Sequence, residues 1–517
     1  MTNINILWVD DEIDLLKAHI LFLSQKGYQL KTVSNGQDAI DLVQQYNFDL
    51  IFLDENMPGL SGLQTLGKIK TLKPDTPVVM ITKSEEEDIM DAAIGSKISD
   101  YLIKPVNPNQ ILSSIKKHTD SKRLVNQETT SAYQAEFRNI TMQIMQANGF
   151  SDWVDIYKKL VYWELEMAEN IDKSLHEILL QQKIEANNEF ARFITRNYQG
   201  WINGQETNRP MLSTNVFKDR VFPLSDEQPV VFILIDNLRY DQWRSMYSVI
   251  QEYLQLEHEE IYCSILPTAT QYARNAMFAG LMPLEIQKLL PQYWRGEEEE
   301  ESKNNFELQL LVEQAKRLGK SSSISYQKIL NVKTGKRVAD NLLDLKKYQI
   351  NVLVYNFVDM LSHARTDVEM VRELAPDAAA YRSLTISWFK HSYLFDVVQQ
   401  LANSDFKVVV TTDHGTIQVG NPIKVIGDRN TSVNLRYKTG KNLTYNPKEV
   451  FEVTHPEKIH LPKENISSRF IFATNNDYMV FPKNFNQFVG HYKNTFQHGG
   501  ISLEEMLIPL AILKPKQ

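Results

Sequence analysis

Up to about residue 120 the chain alternates short apolar runs with amphipathic stretches of helical length. NINILWV, YQLKTVS, DLIFLD, VVMIT and YLIKP read as strands, with DLLKAHILFLSQKG and DAIDLVQQY as helices between them. Strands of this length alternating with helices predict a parallel, doubly wound sheet covered on both faces. Over 121–205 the strand signals vanish, and apolar residues recur at helical spacing through AEFRNITMQIMQ, DIYKKLVYWELEMAEN and LHEILLQQKIEANNEFARFITRNY. This predicts an all-α helical bundle, with an N-cap at Ser151 and a core stripe of Trp153, Tyr157 and Trp163. The stretch TNRPMLSTNVFKDRVFPLSDEQP reads as a loop, after which buried-strand runs return as VVFILID, NVLVYNFVD and KVVVTTD. The expectation is a multidomain α/β protein: a doubly wound domain over 1–120, a bundle over 121–205 and a second α/β domain over 206–517.

Composition narrows the function classes. With 43% hydrophobic and 23% charged residues, the 517-residue chain can bury more than one core, which excludes a mainly disordered or fibrous protein. A net charge of −8 argues against gripping nucleic acid through overall charge. The lone Cys263 permits no intrachain disulfide and fits a reducing compartment. No apolar run approaches the ~18 residues a membrane span needs, so a cytoplasmic protein without membrane insertion is expected. GEEEEES at 296–302 reads as a solvated segment.

Ligands of parallel sheets bind at the carboxyl ends of strands, and in the first domain those ends carry Asp10 and Asp11, Asp54, Thr82 and Lys104. Three converging carboxylates call for a divalent cation, and hard oxygen donors suit magnesium. Lys104 and Thr82 can contact a phosphoryl group on Asp54. This set, with DENMPG around Asp54 and Lys104-Pro105, resembles the receiver domain of two-component response regulators. The resemblance implies phosphorylation of Asp54 by a sensor histidine kinase and magnesium held by Asp11 and Asp54, with Asp10 and Asn56 beside it. It also implies a cis proline after Lys104 and an aromatic switch at Tyr101.

The third unit ends its strands in different chemistry: Asp236, then Asp359 with His363 four residues on, then Asp413-His414-Gly415, and finally His498-Gly499-Gly500. Asp and His together are zinc donors, and three of each suit two metals sharing a phosphate. Thr268 and Thr270 in LPTATQYARNAMFAG offer a hydroxyl nucleophile on a strand-to-helix turn. The unit resembles the PglZ branch of the alkaline phosphatase superfamily, and PTAT followed by Gly280 is similar to the PTKT stretch of nucleotide phosphodiesterases. That implies Thr270 as nucleophile, one zinc on Asp236, Thr270, Asp413 and His414, and a second on Asp359, His363 and His498. Those diesterases carry Asn three residues after the nucleophile. Here Ala273 stands there, with Arg274 and Asn275 as substitutes or as helix surface.

Weaker signals surround these. His491 is the alternative to His498, and His19, His391 and His455 read as surface or core. Arg429, Arg436, Lys438 and Lys441 read as a solvated loop, with phosphate or nucleic-acid binding as the other reading. No motif is placed between 281 and 345. As a whole the order of domains resembles the PorX-type response regulators linked to type IX secretion. It implies a phosphorylation-controlled, zinc-dependent phosphodiesterase that dimerises with a second copy on phosphorylation and acts on a nucleotide or oligonucleotide phosphoester. The alternatives are a phosphomonoesterase and a signalling adaptor with structural zinc and a partner such as a sigma factor. A DNA-binding regulator is disfavoured, since no helix-turn-helix pattern with a basic second helix is present.

Overall fold

The computed structural model describes residues 4–83, 98–168, 173–206, 208–297, 303–463, 465 and 467–516, with the backbone alone over 120–127 and at 173. They form two compact units, Met1–Ala132 and Tyr133–Gln517.

The first unit holds five parallel strands, β1 (Asn5–Val9), β2 (Gln29–Val33), β3 (Leu50–Asp54), β4 (Val78–Thr82) and β5 (Asp100–Ile103), in the order β2-β1-β3-β4-β5. Alternation along β1 and β3 sends Leu7, Val9, Ile51 and Leu53 into one core and Ile6, Trp8, Leu50 and Phe52 into another. Both faces of the sheet are therefore covered, as the continuous apolar runs predict. The strand order reverses between β1 and β3, which opens a crevice flanked by Asp10 and Asp54.

The second unit is built on a six-stranded sheet. Its strands are β6 (Val230–Ile235), β7 (Leu254–Cys263), β8 (Ile324–Ile329), β9 (Ile350–Tyr355), β10 (Lys407–Thr411) and the C-terminal strand Leu507–Pro515. The order is β7, C-terminal strand, β10, β6, β9, β8, with β10 to β8 parallel and the C-terminal strand antiparallel to β10 and β7. The segments that follow β6, β9 and β10 thus leave the sheet at one edge.

The helices Phe150–Glu166 and Lys173–Ile202 pack on one another, Trp153 against Phe190 and Phe193, and that packing runs on into the α/β body. Trp153, Tyr157, Trp163, Phe190 and Tyr198 are buried in one continuous cluster with Val231 and Tyr240 of the α/β body. Tyr133, Ile140 and Ile144 of the preceding helix Ser121–Gln146 belong to the same cluster, so the apolar stripes are covered by helices and sheet domain together. The first of these helices starts at Phe150, not at Ser151. Gly149 is its N-cap, and the Asp152 carboxylate accepts from the amides of Asn148 and Gly149 at 3.0 and 2.9 Å.

Candidate functional site

Neighbouring strands β10, β6 and β9 deliver Asp413, Asp236 and Asp359 to the same sheet edge. The chain turns helical directly after β9, so Asp359 and His363 share one face of the helix Phe357–Asp367, with Oδ2 and Nε2 3.5 Å apart. His498 Nε2 lies 3.6 Å from Asp359 Oδ1. His414 Nε2 lies 3.8 Å from Asp236 Oδ1 and 3.7 Å from Asp413 Oδ2. Two donor clusters result, Asp236–Asp413–His414 and Asp359–His363–His498, each with its ligand atoms within 4.8 Å of one another. The stacked rings of His414 and His498, 4.3 Å apart, join them.

These donors fit divalent zinc in their tautomers as well as in their type. His414 Nδ1 faces the Gly415 carbonyl at 3.1 Å and His498 Nδ1 faces the Thr268 carbonyl at 3.2 Å. A carbonyl can only accept, so each Nδ1 carries the proton and each Nε2 presents a lone pair to the carboxylates. Burial pushes the His498 imidazole down to about 3, which keeps it neutral as a ligand must be. Burial raises the Asp236 carboxyl well above its usual range, and the charges of Asp413 and Asp359 add to this against the pull of Arg274. Burial also opposes the charge on Asp413, but Arg274 outweighs it and holds that carboxyl low.

Thr270 opens the helix Thr270–Ala279, and its Oγ1 lies 3.4 Å from Asp236 Oδ1 and 3.2 Å from His414 Nε2. Thr268 is spent elsewhere, donating to the Gly500 carbonyl at 2.9 Å and accepting from the Gly499 amide at 3.1 Å. Gly280 ends this helix at φ 60, where a side chain would meet the Gln314 amide.

Other expectations are corrected by placement. Arg274 is fully buried behind the carboxylates, its Nε 3.0 Å from Asp413 and Nη1 3.5 Å from Glu307, with Nη2 on Asp236. It is neither helix surface nor free for a phosphate oxygen. Asn275 donates to the Lys303 carbonyl at 2.9 Å. Arg436 and Lys438 are buried, unlike the exposed Arg429 and Lys441. Arg436 pairs with Glu505 at 2.6 Å, and Glu505 accepts from the Gly500 amide at 2.9 Å, so the pair braces the loop after His498. His491 packs its ring on Tyr492 and joins neither donor cluster among the described residues.

Two asparagines escaped the sequence reading. Asn237, at φ 65, donates to Asp359 and to Ser362 at 3.2 Å each, and Asn356 donates to Asp236 at 3.1 Å. Their signal was adjacency to a strand end, joined at Asn237 by the tolerance of Asn for positive φ.

In the first unit Asp10, Asp11 and Asp54 bring carboxylate oxygens within 4.8 Å, a set that fits a hard cation such as magnesium. Lys104 Nζ lies 2.8 Å from Asp10 and 3.0 Å from Asp54. Burial, with Asp10 and Asp11 adding to it, lifts the Asp54 carboxyl to about 6 despite Lys104. Thr82 is buried at the end of β4, Tyr101 is half-buried on β5, and Asn56 is exposed in the turn after β3. The Lys104–Pro105 peptide is cis as expected, and so is Leu266–Pro267, which was not expected.

Family models match three stretches of the chain. They are a response regulator receiver domain over 6–116, the PorX response regulator linker domain over 123–202, and the BREX system PglZ alkaline phosphatase-like domain over 216–513. Among curated proteins, the transcriptional regulatory protein SrrA of Staphylococcus aureus (strain NCTC 8325 / PS 47) is 29% identical over 138 residues. That match covers 26% of this chain and 57% of SrrA, so it spans little more than half the relative's length. Among solved structures, a CheY-like receiver domain protein from Methanospirillum hungatei JF-1 is 25% identical, covering 23% of this chain and 96% of that one, with a TM-score of 0.23. TrrA from Thermotoga maritima, in complex with Mg(2+)-BeF, is 30% identical, covering 22% and 97%, with a TM-score of 0.21. With more than half of its length matched by one domain model, the chain belongs to the PglZ alkaline phosphatase-like family, as a PorX-type response regulator whose receiver domain and linker precede the PglZ domain.

Proposed function

We propose that the PglZ domain is a two-zinc phosphodiesterase acting on nucleotide-type phosphoesters, controlled by phosphorylation of Asp54 in the cytoplasm and serving type IX secretion. A sensor histidine kinase supplies the phosphoryl group, with magnesium at Asp10, Asp11 and Asp54. The observation that carries this reading is the placing of the Thr270 hydroxyl beside Asp236 and His414, with the Nε2 lone pairs of His414 and His498 turned to the two carboxylate clusters. One cluster would hold zinc through Asp236, Asp413, His414 and Thr270, the other through Asp359, His363 and His498. Zinc supplies Lewis acidity that lowers the pKa of a hydroxyl and offsets charge on phosphoryl oxygens.

The residues of the chain do the rest. Thr270 Oγ1 attacks phosphorus, the Thr–O–P bond forms, and the bond to the leaving alcohol breaks as that alcohol takes up a proton. Water then attacks the phosphothreonine, releasing a phosphomonoester and restoring the hydroxyl. Arg274 holds Asp236 and Asp413 in place from behind, and Asn237 and Asn356 orient Asp359 and Asp236 from the side.

Preference for a diester is supported by where the cations go. A monoester dianion needs extra positive charge on its non-bridging oxygens. Of the three arginines the sequence put forward, Arg274 and Arg436 are committed to carboxylates, and Arg429 stands exposed in its loop, outside both donor clusters. The test compares kcat/KM of metal-loaded protein for bis(p-nitrophenyl) phosphate and p-nitrophenyl phosphate, and the diester should win. A monoester preference beyond about tenfold, ~1.4 kcal/mol, overturns the diesterase reading. No turnover of either substrate transfers the case to the adaptor.

A further inference from the structure

The stretch without a sequence motif, 281–345, supplies one wall of a cavity of about 350 Å³ at the carboxyl ends of β8 and β9. Its opposite wall is Tyr355, Phe357 and Trp388. Phe357 and Trp388 stack in parallel, 4.3 Å apart at an interplanar angle of 4°. Around the cavity stand large apolar side chains that remain exposed, Leu330 at 52%, Val332 at 75% and Met360 at 50%. Apolar side chains left exposed together around a concavity mark a binding surface.

A polar observation agrees with this. Tyr355 is 3% exposed, and its hydroxyl oxygen is buried without a hydrogen-bond partner among the described residues. A phenol hydroxyl can donate as well as accept. Leaving such a group unpaired costs about 1–3 kcal/mol, a cost that a ligand carrying an acceptor would remove.

The cavity is also tied to the catalytic edge. Asn356, between the lining residues Tyr355 and Phe357, donates to Asp236, and Phe357 begins the helix that carries Asp359 and His363. The volume is at the low end for small-molecule sites, enough for one ring system and too small for an oligonucleotide. We propose that this cavity holds the ring-bearing substituent of the phosphodiester, a nucleobase, stacked beside Phe357 and Trp388 and accepting a hydrogen bond from Tyr355. The assignment deepens the esterase reading and rests on it for the identity of the ring.

The experiment uses the full-length chain freed of metal with a chelator, so that neither turnover nor metal–phosphate contacts contribute. Adenosine monophosphate and ribose 5-phosphate are titrated by calorimetry, with tryptophan fluorescence in parallel. Wild type should bind the nucleotide at least about tenfold more tightly than the sugar phosphate. Trp388→Ala should bring the two within about threefold of each other. Tyr355→Phe, which removes one oxygen and leaves the packing, should weaken the nucleotide by about three- to tenfold with no loss of melting temperature. An undiminished ring preference in both variants overturns the proposal. If the metal-loaded protein hydrolyses no phosphate ester while the Trp388-dependent ring preference persists, the cavity stands and the esterase reading falls.

Discussion

Thr268 and Thr270 stand two residues apart with the same hydroxyl chemistry and different work. Thr270→Ala should leave Asp236, Asp413 and His414 in place and cut kcat by orders of magnitude. Thr268→Ala removes the side-chain partner of the Gly499 amide, so it should lower stability by about 1–3 kcal/mol in denaturant unfolding, with a smaller fall in kcat. Equal activity of wild type and Thr270→Ala would exclude the phosphothreonine route. Lys438 gives a second prediction at this scale. It is 1% exposed and lies 4.3 Å over the Phe481 ring, and burial pushes its ammonium down to about 7 despite Glu297. The unfolded chain binds this proton more tightly, so Lys438 costs stability fully below pH ~7, and the cost fades as pH rises towards the unfolded value near 10.4. Lys438→Met should therefore raise the melting temperature at pH 7, by the equivalent of a few kcal/mol, and the gain should shrink by pH 10. A pH-independent difference between the two proteins would contradict the assignment.

Among elements, the helix Lys173–Ile202 has the widest reach. Tyr198 accepts from the Leu266 amide at 2.7 Å, ahead of the nucleophile turn. Asn187 accepts from the Leu503 amide at 2.7 Å and donates to Glu504 at 3.0 Å, while Lys183 pairs with Glu504 at 3.3 Å and Glu164 at 2.7 Å. A linker helix thus supports the two segments that flank Thr270 and His498. Gly415 fits against this support because any side chain there would strike the Glu504 carbonyl. Asn187→Ala should cost about 1–3 kcal/mol, since it strands the buried Leu503 amide and takes one donor from Glu504, which keeps Lys183. The exposed neighbour Asn188→Ala should stay within about 0.5 kcal/mol of wild type. Matching midpoints for the two variants would show that the contact is idle.

At the scale of the whole molecule, the receiver domain places Asp54, the proposed acceptor, where one added phosphoryl group would change the local balance of charge. Lys104 now bridges Asp10 and Asp54, and a phosphoryl group on Asp54 would compete for that ammonium and for the Thr82 hydroxyl. Phosphorylation is expected to favour a homodimer. Sedimentation should show the dimer dissociation constant falling by at least about tenfold on phosphorylation, and no change in an Asp54→Ala chain given the same treatment. Identical masses across a wide concentration range would remove the dimer from the mechanism.

The convergence of the donor clusters was legible in the sequence because most of their residues follow buried strands. An unbroken apolar run fixes a strand, the residue after it must emerge at the sheet edge, and Asp or His at such points has few structural uses. Asp10, Asp54, Asp236 and Asp413 were put forward in this way, whereas Asp359, read as ending a strand, lies four residues past β9 on the helix Phe357–Asp367, with His363 at helical spacing from it. What depended on partners distant in sequence was not legible. Helical phase alone could not say that Arg274 turns inward to Asp236 and Asp413, because that depends on carboxylates 38 and 139 residues away. The polar stretch holding Arg436 and Lys438 reads as solvated by composition, and only Glu505 and the surrounding core explain their burial. The linker helices show a clear apolar stripe, but periodicity gives the face that is buried without naming the surface that covers it. The cavity beside Tyr355 draws its walls from three separate stretches, so only the tertiary structure could assemble it.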